Sequence, residues 1–345
     1  MMSAFSPKGR RSAARMALAL AAATFAFAAP ASAAGKGQLD DKFLAMGSGA
    51  QAGVFFPAGQ GICDIINKDR MTHGLRCINY ETGGAVYNMQ AVSFGTVQLA
   101  ITRSDLSYQA YNGTDSFANE PRIPDLRVVA TLYSVPVAVI AKRSLGLTYV
   151  SDIKGTRFNI GNDGSGKREL SSFIMRTMGW TRADFAATTE YDTGPMVKAF
   201  CNGDIDVITE GLGNPAQMYA DVTEKCDGQF LPFAPETIEK LKADYPYYSD
   251  MAIPGGMYAN TPDQVASFGY RAVLVSSSRV NPDAIYQVVK AIFDNFDEFR
   301  AKHPSLDIAT PRAMANFGVY IPLHEGAARY YKEHNLLESA AEFAK

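Results

Sequence analysis

The sequence predicts an α/β fold in two lobes, each a mostly parallel sheet flanked by helices. Three observations carry that expectation. Short apolar runs alternate with helical patterns along the chain. A composition of 47 % hydrophobic and 20 % charged residues excludes general disorder. A chain of 345 residues buries a large core and more naturally forms two lobes than one.

A segment of different character precedes these elements. Lys8, Arg10, Arg11 and Arg15 lead into the apolar stretch Met16 to Ala29, then Pro30 and the small residues Ala31, Ser32, Ala33 and Ala34. A basic start, an apolar run and small residues before a cut make an export signal over 1–34, cleaved near Ala33 or Ala34, with the periplasm as destination. The run falls short of the roughly 20 residues that span a bilayer. No Cys follows it to carry a lipid anchor. Without this segment the chain holds 29 basic and 35 acidic groups, a net charge of −6. That balance argues against nucleic-acid binding, which depends on neutralising phosphates.

In order, 42–46 reads as a strand. A glycine-rich turn then leads to a helix at about 57–67 with Ile62, Ile65 and Ile66 on its apolar face. A strand at 75–80, a helix at 85–92 and strands at 98–102 and 126–132 follow. Alternating strands and helices imply parallel pairing. A second unit begins near Ser134, with strands at 135–140 and 158–160. Ser165 caps a helix whose face is Leu170, Phe173, Ile174, Thr177 and Met178, and Gly179 stops it. Pro195 suits the first turn of a short helix, and 206–209 and 229–233 read as strands. The Tyr-, Pro- and Gly-rich stretch 244–256 carries the chain back. A strand at 270–275 precedes a helix opened by Asn281 and Pro282, with Ile285, Val288, Val289, Ile292, Phe293, Phe296 and Phe299 as one stripe. The tail from 310 to 337 is helical, with breaks at Pro311 and Pro322. The expected division is a signal over 1–34, lobe 1 from 35–133 with 255–345, and lobe 2 from 134–254.

Cys63, Cys77, Cys201 and Cys226 are even in number in an exported chain, which favours disulfides over free thiols. Three pairings are open. Cys63 with Cys77 and Cys201 with Cys226 would each close a short loop. There is no CxxC, and His73, His303, His324 and His334 are scattered, so no metal site is expected.

Four turns share one chemistry: Gly47 to Gly53, Glu81 to Gly84, Gly161 to Gly166, and Glu210 to Pro215. Each follows a strand and precedes a helix. Glycine lets the backbone approach a ligand closely. First-turn amides have no partner inside their helix and bind anions. In open α/β sheets such turns gather at the carboxyl ends of the strands, where ligands sit. Enzyme signatures are weak by comparison. Gly161, Gly166 and Lys167 satisfy a phosphate-loop spacing, but Arg168 stands where Ser or Thr would hold magnesium. No GxSxG, HExxH or coherent Ser/His/acid set is present, and no cofactor is implied.

Five stretches, in this order, resemble the solute-binding receptors of the TAXI branch of tripartite ATP-independent periplasmic (TRAP) transporters. They are GSGAQAGVFFPAGQGICDIIN (47–67), HGLRCINYETGGAVYNMQAV (73–92), DIKGTRFNIGNDGSGKRE (152–169), YPYYSDMAIPGGMY (245–258) and PLHEGAARYYKEHNL (322–336). The similarity runs from Phe43 to about Leu337. It implies a two-lobed periplasmic-binding-protein fold, type II-like, that closes on a ligand and delivers it to membrane-embedded TRAP permease subunits driven by an ion gradient. Such a receptor is a monomer and hydrolyses nothing. Relatives bind small carboxylates such as glutamate, glutamine or 2-oxoglutarate.

The resemblance places ligand contacts at Ser48, Gly49, Phe56, Gly84, Ala85, Asn88, Ser104, Ser165, Gly166 and Asn214. Relatives usually carry Ser where this chain has Ala85 and often Tyr where it has Phe56, and each change removes a hydroxyl. Glu210 stands where relatives are usually apolar; it either receives a ligand amine or faces solvent. From the residues themselves, Arg103, Lys167 and Arg168 are the cations near these turns. Arg103 ends an apolar run and, like Arg168, is either a carboxylate clasp or part of a salt bridge. Tyr133 and Tyr191 are expected to line the cleft. The mechanism is a shift from open to closed forms, with hinge crossings at 133–135 and near 254–258. The main alternative, a periplasmic partner of a signalling receptor, binds the same kind of solute and is not separated from transport by the sequence; a secreted hydrolase fits less well.

Overall fold

The structure, a computed structural model, describes residues 42–51, 53–306 and 309–338. The expected export signal over 1–34 lies outside the described residues. The first part of the chain runs β1 (Phe43–Gly47), α1 (Phe55–Lys68), α2 (Arg70–His73), β2 (Arg76–Tyr80), α3 (Ala85–Phe94), β3 (Leu99–Arg103) and α4 (Ser104–Asn112). β1 pairs in parallel with β2 on one side and β3 on the other, so β1 and β2 both end at the first two glycine-rich turns.

β4 (Leu126–Lys142) is one 17-residue strand where the sequence suggests two. Its first part pairs with β10 (Val265–Ser277), up to Pro136 opposite Gly269. From Val137 onward it pairs with β7 (Val207–Gly211). Pro136 cannot donate to a ladder and sits at this changeover, where no donor is needed. Between β4 and β10 the chain forms β5 (Arg157–Asn159), α5 (Gly166–Thr177), β6 (Ala187–Thr189), α6 (Thr193–Asn202), β7, α7 (Gln217–Lys225), β8 (Gly228–Leu231), α8 (Pro235–Asp244) and β9 (Ser249–Ile253). After β10 come α9 (Pro282–Asp294), α10 (Phe296–Arg300), α11 (Pro311–Asn316) and α12 (Glu325–Glu333).

The hydrogen-bonded order is β2-β1-β3-β10-β4-β7-β5-β6, with β8 on β4 and β9 on β10. The ends are parallel, as expected, but the centre is not. β10 runs antiparallel to β3, β4 and β9, and β4 runs antiparallel to β7 and β8. The reason is topological. β4 takes the chain from one end of the sheet to the other and β10 brings it back, so the two run in opposite senses. The sheet is therefore mixed.

Packing follows the apolar faces. Met89 and Val92 of α3 and Leu106 and Ala110 of α4 pack with Val273 and Val275. Met196 and Phe200 of α6 and Tyr219 and Val222 of α7 pack with Ala138, Ile140 and Ile208. Ile285, Val288, Val289 and Ile292 of α9 are completely buried. The predicted stripe continues to Phe299, but the helix breaks at Asn295 and Phe299 is delivered by α10. Cys63–Cys77 ties α1 to β2, and Cys201–Cys226 ties the end of α6 to the end of α7. Among the described residues no helix is long and apolar enough to cross a membrane.

Candidate functional site

A cavity of about 190 Å³ is lined by all four glycine-rich turns. It is well below the roughly 300–1,000 Å³ of drug-sized pockets. Phe55, Ala85, Gly166 and Thr193, the first residues of α1, α3, α5 and α6, all face it. Helix starts carry amides without a partner in their own helix and the positive end of the helix dipole; the Thr193 amide of α6 is already taken by Asp192, and the starts of α1, α3 and α5 are the ones that favour an anionic group. Gly84 precedes α3 with φ +103°, a conformation that only glycine adopts without strain, and it too lines the wall.

A scaffold behind the wall holds the turns. Asn88 is fully buried on α3. Its Nδ2 donates to the Ser48 carbonyl at 2.6 Å and to the Ile101 carbonyl at 2.7 Å, and its Oδ1 accepts from Thr82 Oγ1 at 2.7 Å. One side chain thus joins the first turn, the second turn and β3. Ser165 Oγ caps α5 by accepting from the Arg168 amide and donates to the Asn162 carbonyl, which fixes the third turn. Tyr258 donates to Asn214 Oδ1 at 2.7 Å and accepts from the Ala216 amide at 2.8 Å, which fixes the fourth.

Arg103 is the dominant cation. It is buried at the end of β3, with Nε and Nη2 on the two oxygens of Asp105, Nη1 on the Gly166 carbonyl at 2.6 Å, and its guanidinium 4.1 Å from the centre of the Tyr270 ring. Burial opposes its charge, but the Asp105 carboxylate outweighs that and its pKa lies above the ordinary value. Asp105 also accepts from Tyr248 Oη at 2.9 Å. Across the cavity Lys167 Nζ donates to Asp192 at 3.0 Å and Thr193 Oγ1 at 2.6 Å, and lies 3.3 Å from Glu210. Lys167 is thereby committed to the start of α6 and to the fourth turn and is not a phosphate-binding lysine. Burial raises the Asp192 pKa, but the Thr193 amide and Lys167 outweigh it and hold that carboxyl below its usual value. Tyr133 Oη and Asn162 Oδ1, both from wall residues, are buried with no hydrogen-bond partner among the described residues.

The profile of the NMT1-like family matches residues 46–334. The chain belongs to the NMT1-like family. Three solved structures share its fold. The periplasmic binding protein BugD matches with a TM-score of 0.53 and 11 % identity over 86 % of this chain and 99 % of its own. A Bordetella bronchiseptica RB50 protein matches at 0.51 and 12 % identity over 86 % and 99 %. PhnD1 from Prochlorococcus marinus MIT 9301, in complex with methylphosphonate, matches at 0.51 and 10 % identity over 86 % and 100 %. The fold of this NMT1-like chain is that of the two-lobed periplasmic solute-binding proteins.

Of the residues singled out from the sequence, the NMT1-like chain brings Gly49, Gly84, Ala85, Arg103, Tyr133, Ser165, Gly166 and Glu210 to the cavity. Glu210 is 6 % exposed and so does not face solvent. Seven others stand elsewhere. Ser48 is buried with its hydroxyl on the Tyr80 carbonyl, and Asn88 is the staple described above. Ser104 is buried on α4, where its hydroxyl accepts from the Arg271 amide. Asn214 holds its turn through Tyr258. Arg168 turns away to the Gly161 carbonyl and to Glu190. Tyr191 is 41 % exposed, held by its backbone to Asn159. Phe56, placed by the resemblance, does not line the cavity; its neighbour Phe55, the first residue of α1, does. The wall residues that the sequence reading missed include Tyr270, Thr82 and Thr193. Thr82 sits in a turn already singled out, and that was its signal. Tyr270 arrives only through the long-range pairing of β10.

Proposed function

We propose that this chain is an extracytoplasmic receptor that captures a small carboxylate in the cavity and delivers it to membrane-embedded TRAP permease subunits. One observation carries the capture half of the reading. The starts of α1, α3, α5 and α6 and the guanidinium of Arg103 converge on a single small cavity. The delivery half rests on the resemblance to TAXI receptors over 43–337. The fold shared with periplasmic binding proteins supports capture rather than catalysis.

The two lobes meet where β4 changes partner near Pro136 and where β10 changes partner between Gly269 and Ala272. The second crossing falls later than 254–258, because Tyr258 packs on Tyr219 and Phe230 of the second lobe. Ligand contacts to both lobes favour the closed form. A thermal-shift screen of small acids tests capture; stabilisation by at least one acid is expected, and none across a broad panel would reject it. Deleting the gene tests delivery. Loss of uptake of that acid supports it, and unchanged uptake with a lost response to the acid would assign the receptor to signalling.

A further inference from the structure

The two charged groups that reach the cavity from the fourth turn and its neighbour do not suit a simple dicarboxylate. Glu210 is 6 % exposed and lines the wall. Its Oε1 lies 3.3 Å from Lys167 Nζ and 3.4 Å from Thr193 Oγ1, and both contacts fall on that one oxygen. Among the described residues no hydrogen bond reaches Oε2. Lys167, meanwhile, gives its short contacts to Asp192 and Thr193. One ammonium therefore serves two carboxylates, and the buried one is the less well satisfied. Oε2 is left to the cavity, where a donor carried by a ligand would pair with it.

The opposite side of the cavity does not compensate. Arg103 is neutralised by Asp105 behind it. Counting Arg103 and Lys167 against Asp105, Asp192 and Glu210, the site carries one negative charge more than positive. Asn162 Oδ1, from another wall residue, is buried and has no hydrogen-bond partner among the described residues. The cavity thus offers donors at the helix starts and at Arg103, and an acceptor at Glu210.

The geometry points to a ligand that carries a protonated amine as well as its acidic group, with Glu210 Oε2 receiving the ammonium. Glu210 is the residue that separates amino acids from amine-free acids of the same shape. This rests on the small-acid receptor reading and narrows it. The ammonium supplies a donor to Oε2 and offsets the charge of the ligand's own carboxylate, which takes the helix-start amides. An amine-free acid leaves Oε2 unpaired and adds negative charge beside it.

The test is calorimetric titration of the mature protein with matched pairs: L-glutamate and 2-oxoglutarate, L-leucine and 4-methyl-2-oxopentanoate, 4-aminobutyrate and butyrate. At least one amino member should bind about tenfold or more tighter than its amine-free counterpart, the range expected of a hydrogen bond to a charged group. Glu210→Gln should shrink that ratio to below about threefold by the same reasoning. Asp192→Asn, at an exposed position, should leave the fold intact and lower the ratio less. If amine-free members bind as tightly as the amino members, or if Glu210→Gln preserves the ratio, the inference fails and the small-acid receptor stands. If no member of any pair binds, the receptor reading falls with it.

Discussion

Nη1 of Arg103 donates a 2.6 Å hydrogen bond to the carbonyl of Gly166. Arg103 ends β3 and Gly166 opens α5, so this bond spans the cavity and links the two parts of the sheet. The same guanidinium is held from behind by Asp105, which Tyr248 also contacts. Charge and cavity wall therefore share one side chain.

That arrangement predicts strong coupling. Arg103→Met leaves Asp105 a buried carboxylate without its cation and should cost about 3–5 kcal/mol. Asp105→Leu should cost a similar amount for the opposite reason. The double variant removes both charges and should be markedly more stable than the two single losses added together. Denaturant unfolding of all four proteins measures this, and simple additivity would contradict the pairing.

Asn88 predicts a second test. Asn88→Leu leaves the Ser48 and Ile101 carbonyls and the Thr82 hydroxyl without their partner. The expected loss is about 3 kcal/mol, with the glycine turns loosened. Thr82→Val removes one of the three bonds and should cost about 1 kcal/mol. Equal losses from urea unfolding would mean that Asn88 does not hold the turns together.

His324 gives the chain a specific acid sensitivity. Its Nδ1 accepts from the Gly326 amide at 3.2 Å, so Nε2 carries the proton that it shares with the Ser277 carbonyl. Burial pushes its pKa down to about 4 from the ordinary 6.5. A depressed folded pKa means that the unfolded chain takes up the proton first. The contribution is complete above pH 6.5, declines between 6.5 and about 4, and is gone below, a loss of about 3 kcal/mol. His324→Asn keeps a helix-capping group without the titration. The stability gap between the two proteins should narrow by that amount as pH falls, and a constant gap would contradict it.

Much of this was legible in the sequence, and the residues say why the rest was not. The glycine turns and Arg103 declare themselves through local chemistry, as did the apolar stripe of α9. α4 is hidden because its buried residues include Ser104, Asp105, Ser107 and Gln109, which are buried through hydrogen bonds rather than apolar period. β4 reads as two strands because Tyr133 and Ser134 interrupt its apolar run, and only its changing partners make it continuous. Tyr270 reaches the cavity through a pairing with β4 more than a hundred residues away in sequence, which no local pattern encodes.

Gly213 predicts a close-packing effect at the wall. A Cβ there would lie 2.7 Å from Ser305 Oγ and 2.8 Å from two carbons of the Tyr133 ring. Gly213→Ala should cost about 1–3 kcal/mol and displace Tyr133 from the wall, weakening ligand binding. Gly194→Ala is the control, since a Cβ meets nothing within 4 Å on α6, and it should be neutral or slightly stabilising. Thermal unfolding and calorimetry on both variants decide it; equal behaviour would contradict the packing argument.

The most direct test of the account is a crystal structure of the protein with the acid that stabilises it best. The carboxylate should lie within hydrogen-bond distance of Arg103 or of the first amides of α3 and α5. A ligand seated outside the cavity, or inside it with its acidic group turned from both, would contradict the account.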